Sequence, residues 1–253
     1  MLAKHRIIRF GEHMFNRLIF IFILLILPTM ALAQIDTSQY DKFFMGKLTS
    51  IDEVLENGEH YDFYEFDLKQ GQEVFFELSS NDFDTYLFLV TPEGPSYDSD
   101  DYKTDLAKYA TRLSMPIAVD GVYQIVVTSL HAKEKGDYIL GVNIKDGVYQ
   151  DFVSNTLESP DKELEDDHYY DDFTVELSRG EKVVMTLISP DFDTVLQLTK
   201  PNGQILSSDD LDGQTRLSKI QFEADQSGQY KILVTSFEIG EVGEYRLAIG
   251  YSR

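Results

Sequence analysis

Two sets of aspartates recur along this chain, and they are the residues whose type and spacing are best suited to chemistry. Each set flanks a short apolar stretch, and the second follows the first after roughly 107 to 109 residues. The first set is Asp82, Asp84, Asp98, Asp100 and Asp101, and the second is Asp191, Asp193, Asp209, Asp210 and Asp212. Calcium takes roughly six to eight oxygen ligands, and carboxylates from two adjacent loops can supply several of them. The spacing therefore predicts a calcium site in each half of the chain.

Turn capping is the alternative role for the same aspartates. Aspartate is common in turns because its carboxylate accepts hydrogen bonds from nearby backbone N–H groups, and acidic loops are often simply solvated. Carboxylates that lie close together without a cation repel one another, and a bound ion would relieve that repulsion. Calcium binding and turn capping both stay open at the level of sequence.

A second acidic segment carries a histidine in each half, at His60 and in Asp166-Asp167-His168. Acidic and histidine side chains together can bind zinc, but one histidine per half is fewer than zinc sites usually contain. A solvated loop is therefore the favoured interpretation of this segment.

Catalytic motifs are not evident in the sequence. It contains no Gly-x-Ser-x-Gly elbow, no His-Glu-x-x-His pair and no cysteine, so serine-hydrolase, zinc-protease and cysteine-nucleophile signatures are missing. A hydrolase built on a pair of carboxylates stays open, because paired geometry is invisible in sequence. The prediction is a protein that is not an enzyme.

An internal repeat sets the framework that must position the aspartates. Asp82-Phe83-Asp84-Thr85 aligns with Asp191-Phe192-Asp193-Thr194, and the first copy carries a short insertion around residues 102–108. After it, Thr111-Arg112-Leu113-Ser114 aligns with Thr215-Arg216-Leu217-Ser218. This period is far longer than that of a solenoid repeat, so the chain is predicted to contain two whole domains in tandem.

Short apolar alternations separated by turn residues predict strands throughout. Tyr64, Phe66 and Leu68 alternate with acidic residues, and comparable runs recur along both copies. Seven or eight such strands in roughly 100 residues predict an all-β fold of two tandem β-sandwich domains, jelly-roll-like or Ig-like, with the jelly-roll-like form preferred.

The pattern Gly-x-Tyr occurs four times, and each time it precedes a predicted strand. The glycines are Gly121, Gly136, Gly228 and Gly243. A tyrosine at a strand end can place its ring in the core and its hydroxyl at the rim, which makes a structural role the favoured one. A sugar-binding aromatic ring is the alternative.

The N-terminal residues and the overall charge restrict location and partners. Positive residues precede an apolar run from Leu18 to Leu27, then Pro28 and Ala31-Leu32-Ala33, which predicts a cleaved signal peptide over residues 1–33. The protein is then expected in the periplasm or outside the cell, with no membrane anchor after cleavage. The formal net charge is −22, which repels phosphate backbones and disfavours nucleic acid as a partner.

Each copy resembles a bacterial pre-peptidase C-terminal domain. The segments that carry the resemblance in the first copy are Gly46-Lys47-Leu48, the strand from Tyr64 to Leu68, Gly71-Gln72, Asp82-Phe83-Asp84-Thr85, the Pro-x-Gly from Pro92 to Gly94, the acidic pair and the Gly-x-Tyr strands. The second copy departs at Asn155, Glu181 and the strand from Phe173 to Leu177. The predicted organisation is a lead-in at 34–45, a first sandwich at 46–146, a linker at 147–154 and a second sandwich at 155–253.

The resemblance implies a β-sandwich and a binding role. Members of the family usually follow secreted proteases and assist secretion, localisation or attachment, and the related collagen-binding domains of clostridial collagenases bind calcium and collagen. The hypothesis is a secreted or periplasmic, non-catalytic protein that attaches to a protein or polysaccharide surface, with calcium stabilising its acidic loops. The alternative is an accessory factor for the secretion or maturation of a separately encoded protease.

Overall fold

The computed structural model describes residues 37–94, 96–99, 107–159, 162–164, 167–211 and 214–252. The predicted signal peptide lies outside these residues, as do Asp100, Asp101 and Asp212 of the aspartate sets. The described residues form a short 3-10 helix, Thr37–Gln39, and a series of antiparallel strands. No helix within these ranges is long and apolar enough to cross a bilayer.

The first domain contains two four-stranded sheets. Its strands are β1 (Lys42–Leu48), β2 (Tyr61–Leu68), β3 (Glu73–Ser80), β4 (Thr85–Val90), β5 (Ser96–Ser99), β6 (Tyr109–Pro116), β7 (Gly121–Ser129) and β8 (Gly136–Lys145). One sheet has the order β1-β8-β3-β6 and the other β2-β7-β4-β5.

The second domain repeats this order. Its strands are β9 (Asp151–Leu157), β10 (Lys162–Glu163), β11 (Tyr169–Leu177), β12 (Lys182–Ile188), β13 (Thr194–Thr199), β14 (Ile205–Ser208), β15 (Leu217–Glu223), β16 (Gly228–Ser236) and β17 (Gly243–Ser252). The sheets are β9-β17-β12-β15 and β10-β11-β16-β13-β14, so the short β10 is the only addition among the described strands. Eight strands shared between two sheets in this crossing order form a jelly roll, and the predicted all-β tandem sandwich is confirmed.

The first strand of each domain begins earlier than the repeat alone suggests. β1 and β9 start at Lys42 and Asp151, whereas the predicted domains start at 46 and 155. Both are edge strands, and only their last residues, Leu48 and Leu157, are fully buried. A strand with so few buried positions gives little period-two signal, which explains the late predicted starts.

Tyrosines of the four Gly-x-Tyr patterns complete the cores. The rings of Tyr123, Tyr138, Tyr230 and Tyr245 are all at most 3% exposed. The hydroxyls of Tyr123 and Tyr230 donate to the backbone carbonyls four residues upstream, at 3.0 Å each. Those of Tyr138 and Tyr245 donate to the carboxylates of Asp62 and Asp171, at 2.5 Å each. The structural role holds, and the sugar-binding alternative is wrong for these rings because their faces are inside the cores.

The predicted match between the two Thr-Arg-Leu-Ser tetrapeptides is wrong by three residues. Thr111 Oγ1 donates to the carbonyl of Thr85 at 2.7 Å, and Ser218 Oγ donates to the carbonyl of Thr194 at 2.6 Å. Because Thr85 and Thr194 are equivalent, the counterpart of Thr111 is Ser218 and not Thr215. The strand register agrees with this buried hydroxyl bond.

This offset gives the two arginines of the tetrapeptides different roles. Arg112 lies within β6 and pairs with the buried Glu77 of the neighbouring strand, Nε to Oε2 at 2.7 Å. Arg216 lies in the loop before β15 and pairs with Asp98 of the first domain, Nη1 to Oδ1 at 3.0 Å. The second arginine therefore joins the domains, which sequence identity did not predict.

A tyrosine precedes the first strand of each domain and covers the outer face of a sheet. In the first domain the ring of Tyr40 covers Gly141, where a Cβ atom would lie 2.5 Å from the ring. In the second domain Tyr149 is 3% exposed, and its hydroxyl lies 2.7 Å from Thr186 Oγ1. The repeat thus extends into the segments predicted as lead-in and linker.

The carboxylate of Glu73 joins the two domains. It belongs to the first domain, is 8% exposed, and accepts a hydrogen bond from the Tyr149 hydroxyl at 2.9 Å. Lys219 of the second domain forms a salt bridge with the same carboxylate, and Lys145 lies 3.8 Å away. A buried carboxylate is costly unless it is paired and hydrogen-bonded, and the linker and the second domain supply its two nearest partners.

Apolar and polar contacts extend this interface. Ile188 and Leu217 of the second domain are buried in the same cluster as the core of the first. The backbone N–H of Ser114 donates to Gln214 Oε1 at 3.0 Å, so a side chain of the second domain satisfies a strand of the first that lies at a sheet edge. The two domains thus pack against each other through a small apolar contact, a backbone hydrogen bond and ion pairs.

We expect Lys219→Met to destabilise the protein by about 1–3 kcal/mol, because it leaves a buried carboxylate with one fewer donor. Lys47→Met is the matched control, since it removes the exposed pair with Asp137, which should contribute no more than about 1 kcal/mol. Urea unfolding at neutral pH measures both free energies. Equal losses in the two variants would show that the Glu73 contact does not stabilise the protein.

Candidate functional site

The first aspartate of each predicted set caps the turn between two strands. Asp82 Oδ2 accepts a hydrogen bond from the backbone N–H of Asp137 at 2.9 Å, and Asp191 Oδ2 accepts one from Glu244 N–H at 2.8 Å. In both domains the turn is also held by a serine, Ser80 or Ser189, whose Oγ accepts from the backbone N–H of the aspartate at 3.0 Å. The carboxylates of Asp82 and Asp191 are therefore held by backbone N–H groups 55 and 53 positions further along the chain.

Glycine is required where these aspartates approach the last strand of the domain. A Cβ atom on Gly136 would lie 2.1 Å from Cβ of Asp82, and one on Gly243 would lie 2.3 Å from Cβ of Asp191. No side chain larger than hydrogen fits either contact. The recurrent glycine and the recurrent aspartate are thus two halves of one tertiary contact.

Asp98 has a different environment from the turn aspartates. It lies on β5 opposite Phe88, and its carboxylate accepts hydrogen bonds from the Tyr86 hydroxyl and from Arg216 of the second domain. The corresponding residue of the second domain is Ser207 on β14. Because Arg216 already neutralises Asp98, this carboxylate has no need of a bound cation.

The second domain gathers an acidic cluster around Asp193. Burial and the neighbouring carboxylates of Asp210, Glu241, Asp209 and Glu238 raise the pKa of Asp193 to about 7. Its Oδ1 atom is buried and has no hydrogen-bond partner. Burial, followed by the charge of Asp209, also raises the pKa of Asp210, and burial raises that of Glu241, with a contribution from Glu238. Simultaneous ionisation of these carboxylates is therefore unfavourable.

Three chain segments hold this acidic cluster in place. The loop before β15 is fixed to the start of β13, because Ser218 Oγ lies 2.6 Å from the carbonyls of both Asp209 and Thr194. The loop after β16 is fixed to the same point, where Phe237 N–H donates to the carbonyl of Asp193 at 2.9 Å. The cluster therefore lies where the β12–β13, β14–β15 and β16–β17 loops meet.

Two glutamates of this region were missed by the sequence analysis. Glu134 and Glu241 each precede the recurrent Gly by two residues, at Gly136 and Gly243. Glu134 Oε2 accepts from the backbone N–H of Asp84 at 3.3 Å, and Glu241 lies beside the Asp193 charge. The repeat contained this signal, since both copies carry the glutamate at the same offset.

Metal-binding geometry is limited in the described part of the chain. Within residues 37–252, apart from the gaps in the description, no three His, Asp or Glu side chains are grouped closely enough to hold an ion by themselves. His60 Nδ1 lies 3.4 Å from the carbonyl of Asp52, and His168 Nε2 lies 3.2 Å from the carbonyl of Phe237. The zinc interpretation gains no support from these contacts. A calcium ion beside Asp193 would need further oxygens from backbone carbonyls, water or Asp212.

A cleft of about 230 Å³ lies between the two domains. Tyr86, Tyr97, Asp98 and Leu113 of the first domain line it together with Gln214 and Arg216 of the second. Burial raises the pKa of Tyr97 to about 12. The cleft combines apolar side chains with a few polar groups that are held by bonds across the domain boundary.

A second groove of about 330 Å³ meets the cleft at Tyr97. It is lined by Ser154, Asn155, Tyr245 and Arg246. Arg246 Nη2 pairs with Glu93 of the first domain at 2.8 Å, so an ion pair between the domains is found in each of the two depressions.

Comparison with known proteins identifies both repeats. The family model described as bacterial pre-peptidase C-terminal domain matches residues 60–129 and 169–236, which together exceed half of the chain. The search of curated proteins found no match. Among solved structures, an anti-sigma factor domain-containing protein shares 8% identity, with 77% of this chain and 79% of that chain covered and a TM-score of 0.22. The STIV MCP crystal structure shares 8% identity, with 83% and 96% covered and a TM-score of 0.25. Likenesses this slight do not bear on function.

The raised pKa of Asp193 predicts a loss of stability as pH increases from about 4 to 7. In that range the folded protein holds a proton that the unfolded chain releases, so the free energy of unfolding falls as pH rises. Asp193→Asn should reduce this fall by about 1–2 kcal/mol, after allowance for solvent screening at a half-exposed group.

Urea unfolding in chelator at several pH values measures this effect, and Asp84→Asn, the counterpart in the first domain, is the control. If Asp193→Asn and the parent protein lost stability equally over this pH range, the raised pKa of Asp193 would not be the cause of the loss.

Proposed function

The chain belongs to the bacterial pre-peptidase C-terminal domain family, and from that premise we propose that it is a secreted or periplasmic, non-catalytic protein that attaches to a protein or polysaccharide surface. The observation that carries the proposal is the family match in both repeats, because domains of this family are generally non-catalytic. Such domains are typically found in secreted proteins, which agrees with the signal peptide predicted from sequence.

The packing of the two domains supports attachment as the role. Contacts through Glu73, Lys219 and Tyr149 hold the domains in one relative orientation. Two sites on a rigid body bind a surface together when their spacing matches it, and no entropy is lost in ordering a flexible linker. A fixed tandem therefore acts as one binding unit.

Calcium belongs to the proposal as a stabiliser of the acidic loops. In the second domain the support is the unpartnered Oδ1 of Asp193 and its mutually repelling neighbours Asp209 and Asp210. A divalent cation would supply the missing partner and relieve the repulsion. In the first domain the proposal rests on sequence, because only Asp84 of the corresponding aspartates lies within the described residues.

Thermal unfolding in excess calcium and in chelator tests the calcium proposal. A ligand that binds only the folded state at a hundred times its dissociation constant adds about 2.7 kcal/mol, so calcium should raise the melting temperature. The increase should disappear when Asp84→Asn and Asp193→Asn are combined. It should persist in Asp225→Asn, which changes an exposed acid paired with Lys200. An increase that survives the double substitution, or no increase in the parent protein, would contradict calcium binding at these loops.

Co-sedimentation with insoluble polymers tests attachment itself. Cellulose, chitin, peptidoglycan and gelatin-coated beads are the probes, each with calcium and with chelator, and albumin-coated beads are the control. We expect retention on at least one polymer in moderate salt, where non-specific charge effects of this acidic chain are screened.

No retention on any polymer would contradict the attachment proposal. If, in addition, a deletion strain exported less mature protease, the accessory role in protease secretion or maturation would replace it.

A further inference from the structure

We propose that the cleft between the two domains binds a neutral sugar ring, such as the terminal or branch residue of a glycan. This inference rests on the proposed attachment function and names the part of the molecule that recognises the ligand. It draws on the shape, charge and side-chain chemistry of the cleft, in which both domains take part.

The size of the cleft suits a single small ring. Its volume of about 230 Å³ lies below the roughly 300–1,000 Å³ of sites for drug-sized ligands. Leu113 of the first domain and Leu217 of the second line the cleft but are each only 2% exposed, and the partly exposed ring of Tyr86 provides an aromatic wall. One face of a sugar ring carries several C–H groups, which pack on apolar and aromatic surfaces of this kind.

The polar groups of the cleft are arranged to meet hydroxyls. Arg216 offers guanidinium N–H groups, and the Asp98 oxygens, which already accept from Tyr86 and Arg216, each keep a further lone pair. Gln214 Oε1 already accepts from Ser114 N–H and its Nε2 already donates to the carbonyl of Leu211, so this side chain offers the second hydrogen of its NH2 group. The bond to Asp98 uses one of the five N–H donors of Arg216. Carboxylate, guanidinium and amide groups each carry two hydrogen-bonding atoms in one plane. Two neighbouring hydroxyls of a sugar ring can bond to such a pair, because a hydroxyl both donates and accepts.

The charge of the cleft selects against ionic ligands. The chain as a whole has a net charge of −22, yet the charges of Asp98 and Arg216 cancel at a distance of 3.0 Å. A cationic ligand would have to compete with Arg216, and an anionic ligand would have to compete with Asp98 and enter against the field of the whole protein. A neutral ligand rich in hydroxyls meets neither obstacle.

Saturation-transfer NMR on the intact two-domain protein tests this assignment. The probes are the methyl glycosides of glucose, galactose, mannose and N-acetylglucosamine at millimolar concentration. We expect one or more of them to bind, with protons of one ring face closest to the protein. Thr215→Phe, at the exposed rim of the cleft, should reduce the affinity at least roughly tenfold by filling the cleft without removing a charge.

A second variant keeps the test independent of one substitution. Asp98→Asn combined with Arg216→Gln keeps the cleft neutral but removes the fixed ion pair, and it should also weaken binding at least roughly tenfold. The matched control is Lys47→Gln combined with Asp137→Asn, which removes an exposed ion pair elsewhere. Thermal unfolding of each variant establishes that it is folded before binding is measured.

The outcomes separate this inference from the proposed function. If none of the glycosides binds, or if both cleft variants bind like the parent protein, the cleft assignment is overturned. Retention on polymers that is unchanged in both cleft variants would also overturn it, while leaving surface attachment intact. Glycoside binding without retention on any polymer would support the cleft and contradict surface attachment.

Discussion

The two-domain arrangement depends on one buried carboxylate, that of Glu73. Its own domain leaves it inside the interface, and its hydrogen-bond and ion-pair partners at close range, Tyr149 and Lys219, come from the linker and the second domain. In the docked arrangement this charge is buried, and removing either partner would leave it with fewer donors. Docking of the domains and pairing of Glu73 are therefore linked. The interdomain cleft, with walls from both domains, exists because this contact fixes their orientation.

The recurrent turn aspartates serve two purposes within three residues. The first of each pair, Asp82 or Asp191, is satisfied by a backbone N–H of the last strand and closes the fold. The second aspartate of the pair in the second domain, Asp193, lies where three loops meet. Neighbouring carboxylates there raise its pKa. A turn held by hydrogen bonds thus lies beside an aspartate whose ionised form is unfavourable. The strands therefore carry the stability of the fold, while the loops carry the acidic cluster whose pKa values are raised.

Sequence was sufficient for the fold because strands with one buried face leave a period-two pattern, and because a long repeat marks whole domains. It was insufficient where contacts join distant parts of the chain. Arg216 and Asp98, which form an ion pair, are 118 positions apart in the sequence. No local sequence pattern predicts a contact over that separation. Residue identity also gave a wrong alignment. Thr215 is the same residue type as Thr111, but Ser218 makes the equivalent buried hydrogen bond. For the acidic loops, sequence did not show which aspartates already have a charged partner, as Asp98 has in Arg216.

The Glu73 contact between the domains has no counterpart at the equivalent position of the second domain. In the second domain the residue at the position of Glu73 is Lys182, the first residue of β12, and it is exposed. A further module docked in the same manner would bring a lysine against a lysine in place of a salt bridge, which is unfavourable. The two copies therefore differ at this contact: the first supplies the carboxylate of Glu73, and the second supplies the ammonium group of Lys219. A third domain docked in the same way would need an acidic residue, and not lysine, at the position of Lys219.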